Sequence, residues 1–331
     1  MINFAVVGFG HIGKRHAEMI SRTENAKLLA VIDIDREKNV NHDGEFFLSW
    51  EDFCSRKLKV DVINICLPNG LHFEYSMKAL EMGYHVVIEK PMTLKRSEAE
   101  SIVFRSLERQ KHVFIVKQNR FSPPSVWLKN LVDSGKIGKI FQVDLSCYWN
   151  RDERYYTKDS WHGTSDLDGG TLFTQFSHFV DLMYWIFGDI DEIIGRVYDH
   201  NHTTLTEFED SGHFIFHFLN GAKGSFSFST SCTQTNLEST MIVIGEKATI
   251  KISGQYMDKL EVLNSDHLEM PDLTPTKPGN DYGAYKGSAQ NHDEVILNVV
   301  KALVSGDVIA TNALEGMKVI DIIERMYKST H

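Results

Sequence analysis

The chain has 331 residues, 42% of them hydrophobic, enough for two ordinary domains with buried cores. Its formal net charge of −10 argues against nucleic acid, which needs a basic face, and no apolar run approaches the roughly 18 residues of a membrane span. Cys54, Cys66, Cys147 and Cys232 are far apart, and the histidines form no HxxxH helix face, so reduced thiols and no metal are expected. Residues 1–7 are strand-like without a basic leader, so a cytoplasmic protein is expected.

Residues 3–7 read as a strand, followed by a glycine-rich loop and a helix over 12–21. Lys27–Asp33 is a second strand. Val60–Leu67 is another, of the fully buried kind, closed by the turn Pro68-Asn69-Gly70. A helix over Leu71–Met82 stops at Gly83, and His85–Glu89 is a strand. Ser97 and Glu100 form a capping-box pattern that opens a helix to Gln110, and His112–Val116 is the next strand. Strands alternating with helices predict a doubly wound parallel sheet over residues 1–120.

The texture changes over residues 121–331. A helix over Ser125–Ser134 stops at Gly135, and strand Ile140–Tyr148 follows. An aromatic, polar loop over 149–168 leads into a helix over Gly170–Phe187. From Ile190 onward strands dominate. Phe214, Phe216 and Phe218 share one face, and Phe226 and Phe228 follow an Asn220-Gly221 hairpin turn. This predicts an α/β domain with an open, mostly antiparallel sheet. Its aromatic face packs on helices; its polar face is solvated or meets a partner subunit. Residues 264–290 read as a loop. Helices near 290–305 and 312–328 close the chain and are free to pack back on the first domain.

Gly8-Phe9-Gly10-His11-Ile12-Gly13 stands between the first strand and the first helix. In such a loop the first glycine allows the tight turn, the second lets the backbone approach a pyrophosphate, and the third lets the helix pack on the strand. The helix N–H groups then meet the phosphates. Asp33 follows about 20 residues on, where a carboxylate accepts ribose hydroxyls and repels a 2′-phosphate. That favours NAD, while Arg36 keeps NADP open. Glu89-Lys90-Pro91 lies at the carboxyl edge of the predicted sheet, where such sheets bind ligands. A cis Lys90–Pro91 bond suits this position. Thr174, His178 and Asp181 fall on one helical face.

These motifs, with Lys14-Arg15-His16 and His178-Phe179-Val180-Asp181, resemble the Gfo/Idh/MocA oxidoreductase family over nearly the whole chain. The resemblance implies a Rossmann domain, a second domain built on an open sheet, and sugar chemistry with a tightly held nicotinamide cofactor. Val116-Lys117-Gln118-Asn119-Arg120, Tyr148-Trp149-Asn150-Arg151, Tyr155-Tyr156 and Trp161-His162-Gly163-Thr164 are similar to segments of a subgroup, the UDP-N-acetylglucosaminuronate 3-dehydrogenases. So are Gln175-Phe176-Ser177-His178, Glu209-Asp210-Ser211-Gly212 and Asn236-Leu237-Glu238. That likeness implies NAD-dependent oxidation of the C3 hydroxyl of a UDP-linked N-acetyl hexuronate, for bacterial surface polysaccharides. A UDP-N-acetylglucosamine, a free sugar or an inositol are alternative substrates. A nucleotide-binding sensor without activity is the alternative class.

The resemblance assigns NAD to Gly8, Phe9, Gly10, His11, Ile12, Gly13, Asp33, Ile34, Leu67, Pro68, Asn69, His72, Glu89, Lys90, Gln118 and Trp161. It assigns the substrate to Lys90, Asn119, Arg120, Tyr148, Arg151, Tyr155, Thr174, Gln175 and His178. His178 removes the hydroxyl proton while Lys90 orients the hydroxyl and stabilises the alkoxide, or Lys90 is itself the base. Arg151 offers a fork to a sugar carboxylate or diphosphate, unless it is a solvated surface arginine. Two positions depart from the pattern. Thr174 stands where Asp or Asn is usual, and bulky Phe176 where a smaller residue is common, which touches the expected pocket shape. A homodimer or homotetramer through the second sheet is expected.

Overall fold

Six apolar segments and the helices between them build a parallel sheet. The strands are β1 (Ile2–Val7), β2 (Ala26–Ile32), β3 (Glu45–Phe47), β4 (Val62–Ile65), β5 (His85–Ile88) and β6 (Val113–Ile115). Their spatial order is β3-β2-β1-β4-β5-β6. The order reverses between β1 and β4, the switch point at which such sheets bind ligands. All four residues of β4 are buried, as expected of a strand covered on both faces. The intervening helices are α1 (His11–Arg22), α2 (Trp50–Arg56), α3 (His72–Glu81) and α4 (Arg96–Arg109). This computed structural model describes residues 1–158, 160–281, 283 and 285–330.

β3 and α2 fall in a stretch that the sequence patterns left unassigned. A local signal was present: Ser49 caps α2, its hydroxyl accepting the Asp52 N–H at 3.0 Å. The predicted capping box at Ser97 does not form. Ser97 lies inside α4, and Glu100 accepts instead from Arg96 one turn back, at 2.8 Å.

The chain falls into two units. The first joins Met1–Gln118 to Asn291–Ile320, and the second joins Asn119–Gln290 to Asp321–His331. The second unit holds α5 (Pro123–Asp133), β7 (Ile140–Tyr148), α6 (Thr171–Thr174) and α7 (Ser177–Phe187). Then come β8 (Ile190–Tyr198), β9 (Ser211–Phe218), β10 (Lys223–Ser229), β11 (Glu238–Gly245), β12 (Thr249–Ser253) and β13 (Lys259–Asn264). They form a seven-stranded sheet in the order β13-β12-β11-β7-β10-β9-β8, antiparallel except for the β7–β10 pair. A small ribbon, β14 (Gly279–Asp281) with β15 (Lys286–Ala289), occupies part of the predicted 264–290 loop. Helix α8 (His292–Ser305) belongs to the first unit, and α9 (Ala313–Lys328) starts in the first and ends in the second.

The aromatic face of the second sheet is buried as its alternation predicts. Phe214, Phe216, Phe218, Phe226 and Phe228 are all within the core. Small residues make room for them: a Cβ on Gly212 would lie 2.7 Å from the Phe228 ring, and one on Gly224 2.1 Å from Phe216. Phe176 joins this cluster, 5.1 Å from Phe228 and 5.4 Å from Trp149 between ring centroids. It therefore fills core and does not shape a pocket, contrary to the reading of its bulk. Its burial also explains why the predicted helix over Gly170–Phe187 is broken. The chain leaves helical geometry at Phe176, at φ −108° and ψ 0°, and restarts at Ser177. Among the described residues no helix is long and apolar enough to cross a membrane.

Candidate active site

The glycine loop follows β1 and opens α1. Gly8 takes φ +87°, and a Cβ there would meet the Cys66 carbonyl oxygen at 2.5 Å. A Cβ on Gly13 would fall 2.0 Å from the Gly8 carbonyl oxygen, so only glycine lets α1 approach. Gly10 is different: nothing lies within 4 Å of its would-be Cβ. The two outer glycines are closed against protein, and the middle one opens on space where a pyrophosphate can approach backbone. Phe9 is buried, while His11 is exposed and Ile12 half-buried on the first turn of α1.

Asp33 ends β2. Its carboxylate accepts the Phe9 N–H at 2.6 Å and the Asp35 N–H at 2.9 Å, which fixes it beside the glycine loop. The cation at this acid is Lys38, with Nζ 3.1 Å from both oxygens, where the sequence had pointed to Arg36. Ile34, next in the chain, is 90% exposed, an apolar face free to lie against an adenine. Gln118, after β6, buries a side-chain Oε1 that has no hydrogen-bond partner among the described residues, an acceptor suited to a ligand N–H. These residues fit a dinucleotide.

Lys90 stands at the carboxyl end of β5, next to a cis Lys90–Pro91 bond. Glu89, assigned to the cofactor, is anchored inside the fold. Its Oε1 accepts from His16 Nε2 at 2.9 Å and lies 3.5 Å from His292 Nε2, and its Oε2 accepts the Lys90 N–H at 3.1 Å. Burial alone would raise the Glu89 carboxyl, but the two histidines outweigh it and hold it well below the usual carboxylate range. His292 is pushed down by its own burial. The ligand-type atoms of His16, Glu89 and His292 lie within 4.8 Å of one another, although the sequence offered no metal pattern. Hydrogen bonding accounts for His16 and Glu89: Asn64 Nδ2 lies 2.9 Å from His16 Nδ1, which makes Nδ1 the acceptor and Nε2 the proton carrier facing Glu89.

His72, also assigned to the cofactor, acts as a strut. Its buried ring spans the Leu67 carbonyl at 2.9 Å and the Pro91 carbonyl at 2.7 Å, tying the loop after β4 to the loop after β5. Leu67 and Pro68 are half-buried, and Asn69 is buried in the turn that follows.

In the second unit, Thr174, Gln175 and His178 are buried where α6 gives way to α7. Thr174 Oγ1 donates to Asp168, whose side chain is fully buried. Gln175 Nε2 donates to the Tyr155 hydroxyl at 2.9 Å, and Gln175 Oε1 accepts from Arg151 Nε at 2.9 Å. Trp161, assigned to the cofactor, lies in this unit with its ring 3.9 Å from that of His162. Tyr148 is half-buried at the end of β7.

Two arginines assigned to substrate are committed to the fold. Arg120 and Asp181 form a buried two-point ion pair, Nε to Oδ2 at 2.8 Å and Nη2 to Oδ1 at 2.7 Å. Asp181 therefore faces Arg120, in the turn that precedes α5. Arg151 is not a surface arginine: it is 2% exposed. Its Nη1 donates to Asn150 O at 2.6 Å and Asn236 Oδ1 at 3.2 Å, and its Nη2 to Lys286 O at 3.1 Å. The rings of Trp149, Tyr155 and Tyr285 surround it. With four of five N–H groups engaged, it has no two-point fork to offer. No carboxylate among the described residues neutralises it, and burial pulls its guanidinium pKa down. Asn119 Oδ1 accepts from Ser288 at 2.6 Å, whereas its buried Nδ2 has no partner among the described residues.

Comparison with known proteins agrees with this geometry. A family model described as an oxidoreductase family with an NAD-binding Rossmann fold matches residues 2–118. A second, for the Gfo/Idh/MocA C-terminal domain, matches residues 126–251. The chain belongs to the Gfo/Idh/MocA oxidoreductase family. It is an NAD-dependent oxidoreductase. It is 27% identical to the WlbA dehydrogenase of Chromobacterium violaceum, solved with NADH and UDP-GlcNAcA. That match covers 99% of this chain and 93% of the other, with a TM-score of 0.89. The Bordetella pertussis WlbA dehydrogenase, in complex with the same two ligands, is 25% identical over 99% of this chain and 96% of its own, with a TM-score of 0.90. Oxidoreductase P35 of Formosa agariphila is 25% identical over 82% of this chain and 86% of its own.

Proposed function

We propose that this protein oxidises the C3 hydroxyl of a UDP-linked N-acetyl hexuronate, as a cytoplasmic step toward bacterial surface polysaccharide sugars. The observation that carries the reading is Arg151. A guanidinium buried among neutral acceptors and aromatic rings keeps a positive charge that no carboxylate among the described residues neutralises, beside Gln175, which is itself three residues from His178. Such a site favours an anionic sugar through its field. The likeness to two dehydrogenases solved with UDP-GlcNAcA supports the same substrate class.

In this reading NAD, when bound, supplies the hydride-accepting ring. The protein holds the pyrophosphate at Gly10 and the ribose at Asp33. His178 takes the proton of the reacting hydroxyl, and Lys90 orients that hydroxyl and stabilises the developing alkoxide. The outer face of the second sheet, where Ile194, Tyr198 and Ile215 stand exposed, is the surface for a homodimer or homotetramer. The test is turnover of the UDP-uronate followed by NADH absorbance. His178→Asn and Lys90→Met should each lower kcat by on the order of 10²–10⁴ while leaving NAD bound. A His178→Asn enzyme with near-normal turnover would remove the histidine from the mechanism.

A further inference from the structure

A hydroxyl is as ready to donate a hydrogen bond as to accept one, and its surroundings decide which. Thr174 Oγ1 faces two oxygens of a single residue, the Asp168 carbonyl at 3.0 Å and the Asp168 carboxylate Oδ1. The other carboxylate oxygen accepts the Gly163 N–H at 2.8 Å, with His162 Nδ1 at 3.9 Å. An ionised carboxylate has no proton to give. The one proton of Thr174 is therefore committed to Asp168, and toward any other group the threonine oxygen acts only as an acceptor. The bond to a charged partner also makes that oxygen a stronger acceptor.

The local backbone is built to bring this carboxylate back. The N–H groups of Asp168 and Gly169 both donate to the Thr164 carbonyl, at 3.0 and 3.2 Å. Gly169 and Gly170 then take φ +90° and +125°, reversing the chain so that residue 168 lies over residue 174. A Cβ on Gly170 would fall 2.4 Å from the Tyr327 hydroxyl, so the reversal is possible only with glycine.

We propose that Asp168 is a positioning residue that fixes the Thr174 hydroxyl as an acceptor for a hydroxyl of the bound sugar. It supplies at second hand the carboxylate that position 174 does not carry. The inference rests on the sugar-oxidation reading above, but not on which sugar is oxidised.

The test is a set of variants assayed on whichever sugar the wild type oxidises: Asp168→Asn, Thr174→Val, both together, Thr174→Asp, and Thr174→Asp with Asp168→Asn. Asp168→Asn and Thr174→Val should each lower kcat/KM on the order of 10–100-fold. Combined, they should lower it no further than the worse of the two, because they break one interaction. Thr174→Asp alone sets two carboxylates side by side and should lose turnover. Adding Asp168→Asn to it should return kcat to within about tenfold of wild type, a rescue that a merely structural role for Asp168 does not produce. Losses that multiply, a failed rescue, or a Thr174→Val enzyme within about twofold of wild type overturn the proposal. Thr174→Val leaves the Asp168–Gly163 bond intact, so it decides the matter even where Asp168→Asn does not fold. A wild type that oxidises a free sugar and no nucleotide sugar overturns the substrate reading, and the same ratios still judge Asp168.

Discussion

The Arg120–Asp181 pair gives the sharpest test of how the second unit is held together. Both side chains are almost wholly buried, and two short bonds join the turn that precedes α5 to α7. Replacing Asp181 by Asn keeps the shape and one acceptor but removes the charge that faces the guanidinium. Trp185 covers that guanidinium at 5.3 Å and bars easy access to water. Breaking a buried pair from one side costs about 3–5 kcal/mol, and the remaining Asn acceptor places this variant near ~3. For a unit of this size that is a fall in Tm of roughly 6–12 °C. Arg120→Met with Asp181→Leu removes both charges and should recover most of the loss, because well-packed apolar residues replace such pairs at little cost. Thermal unfolding followed by circular dichroism reads all three proteins. NAD affinity should be unchanged, since the glycine loop and Asp33 belong to the first unit. An Asp181→Asn shift below about 2 °C, or a double variant worse than the single, refutes the reasoning.

Further outcomes follow from individual side chains. Asp33 should make NAD bind more tightly than NADP. Asp33→Ser frees Lys38 for a 2′-phosphate and should narrow the preference on the order of tenfold by titration, whereas an unchanged ratio would move the discrimination elsewhere. Glu209 is buried at the start of α6, accepting from Tyr327 at 2.6 Å and from the Thr171 N–H at 3.1 Å. Burial pushes its carboxyl up to about 7, against which those bonds pull down. A raised folded pKa stabilises fully below the ordinary value near 4.5 and loses its effect as pH rises to about 7. Wild type should therefore lose stability on the order of 3 kcal/mol across that window relative to Glu209→Gln. Parallel stability–pH curves for the two proteins would contradict it.

Much of this was legible before any coordinates. Strand–helix alternation set the parallel sheet, and Gly8 and Gly13 are closed against backbone while Gly10 opens on space, as their spacing implies. What the sequence could not give was partnership between distant residues. Arg120 and Arg151 read as ligand-binding cations because nothing local shows that Asp181 lies 61 residues on, or that Asn236 and Lys286 close around a guanidinium. His16, Asn64, Glu89 and His292 come from four separate segments, so no motif could announce their cluster. Asp168 was missed for a nearer reason. Residue 174 is the position that departs from the pattern, and the two glycines after 168 are the signal of a chain reversal that brings the earlier carboxylate onto it.

The central claim is that an uncompensated buried cation beside the His178 helix serves an anionic nucleotide sugar. The most direct measurement is the ratio of kcat/KM for a UDP-N-acetyl hexuronate to that for the matching neutral UDP-N-acetylhexosamine. NADH formation is followed, with a ketone acceptor present in case the cofactor stays bound. The uronate should be preferred by on the order of tenfold or more, through the field of the buried charge. Equal rates, or a preference for the neutral sugar, would contradict the claim and leave the hexosamine as substrate. Reaction with a free polyol alone would leave only the family assignment standing.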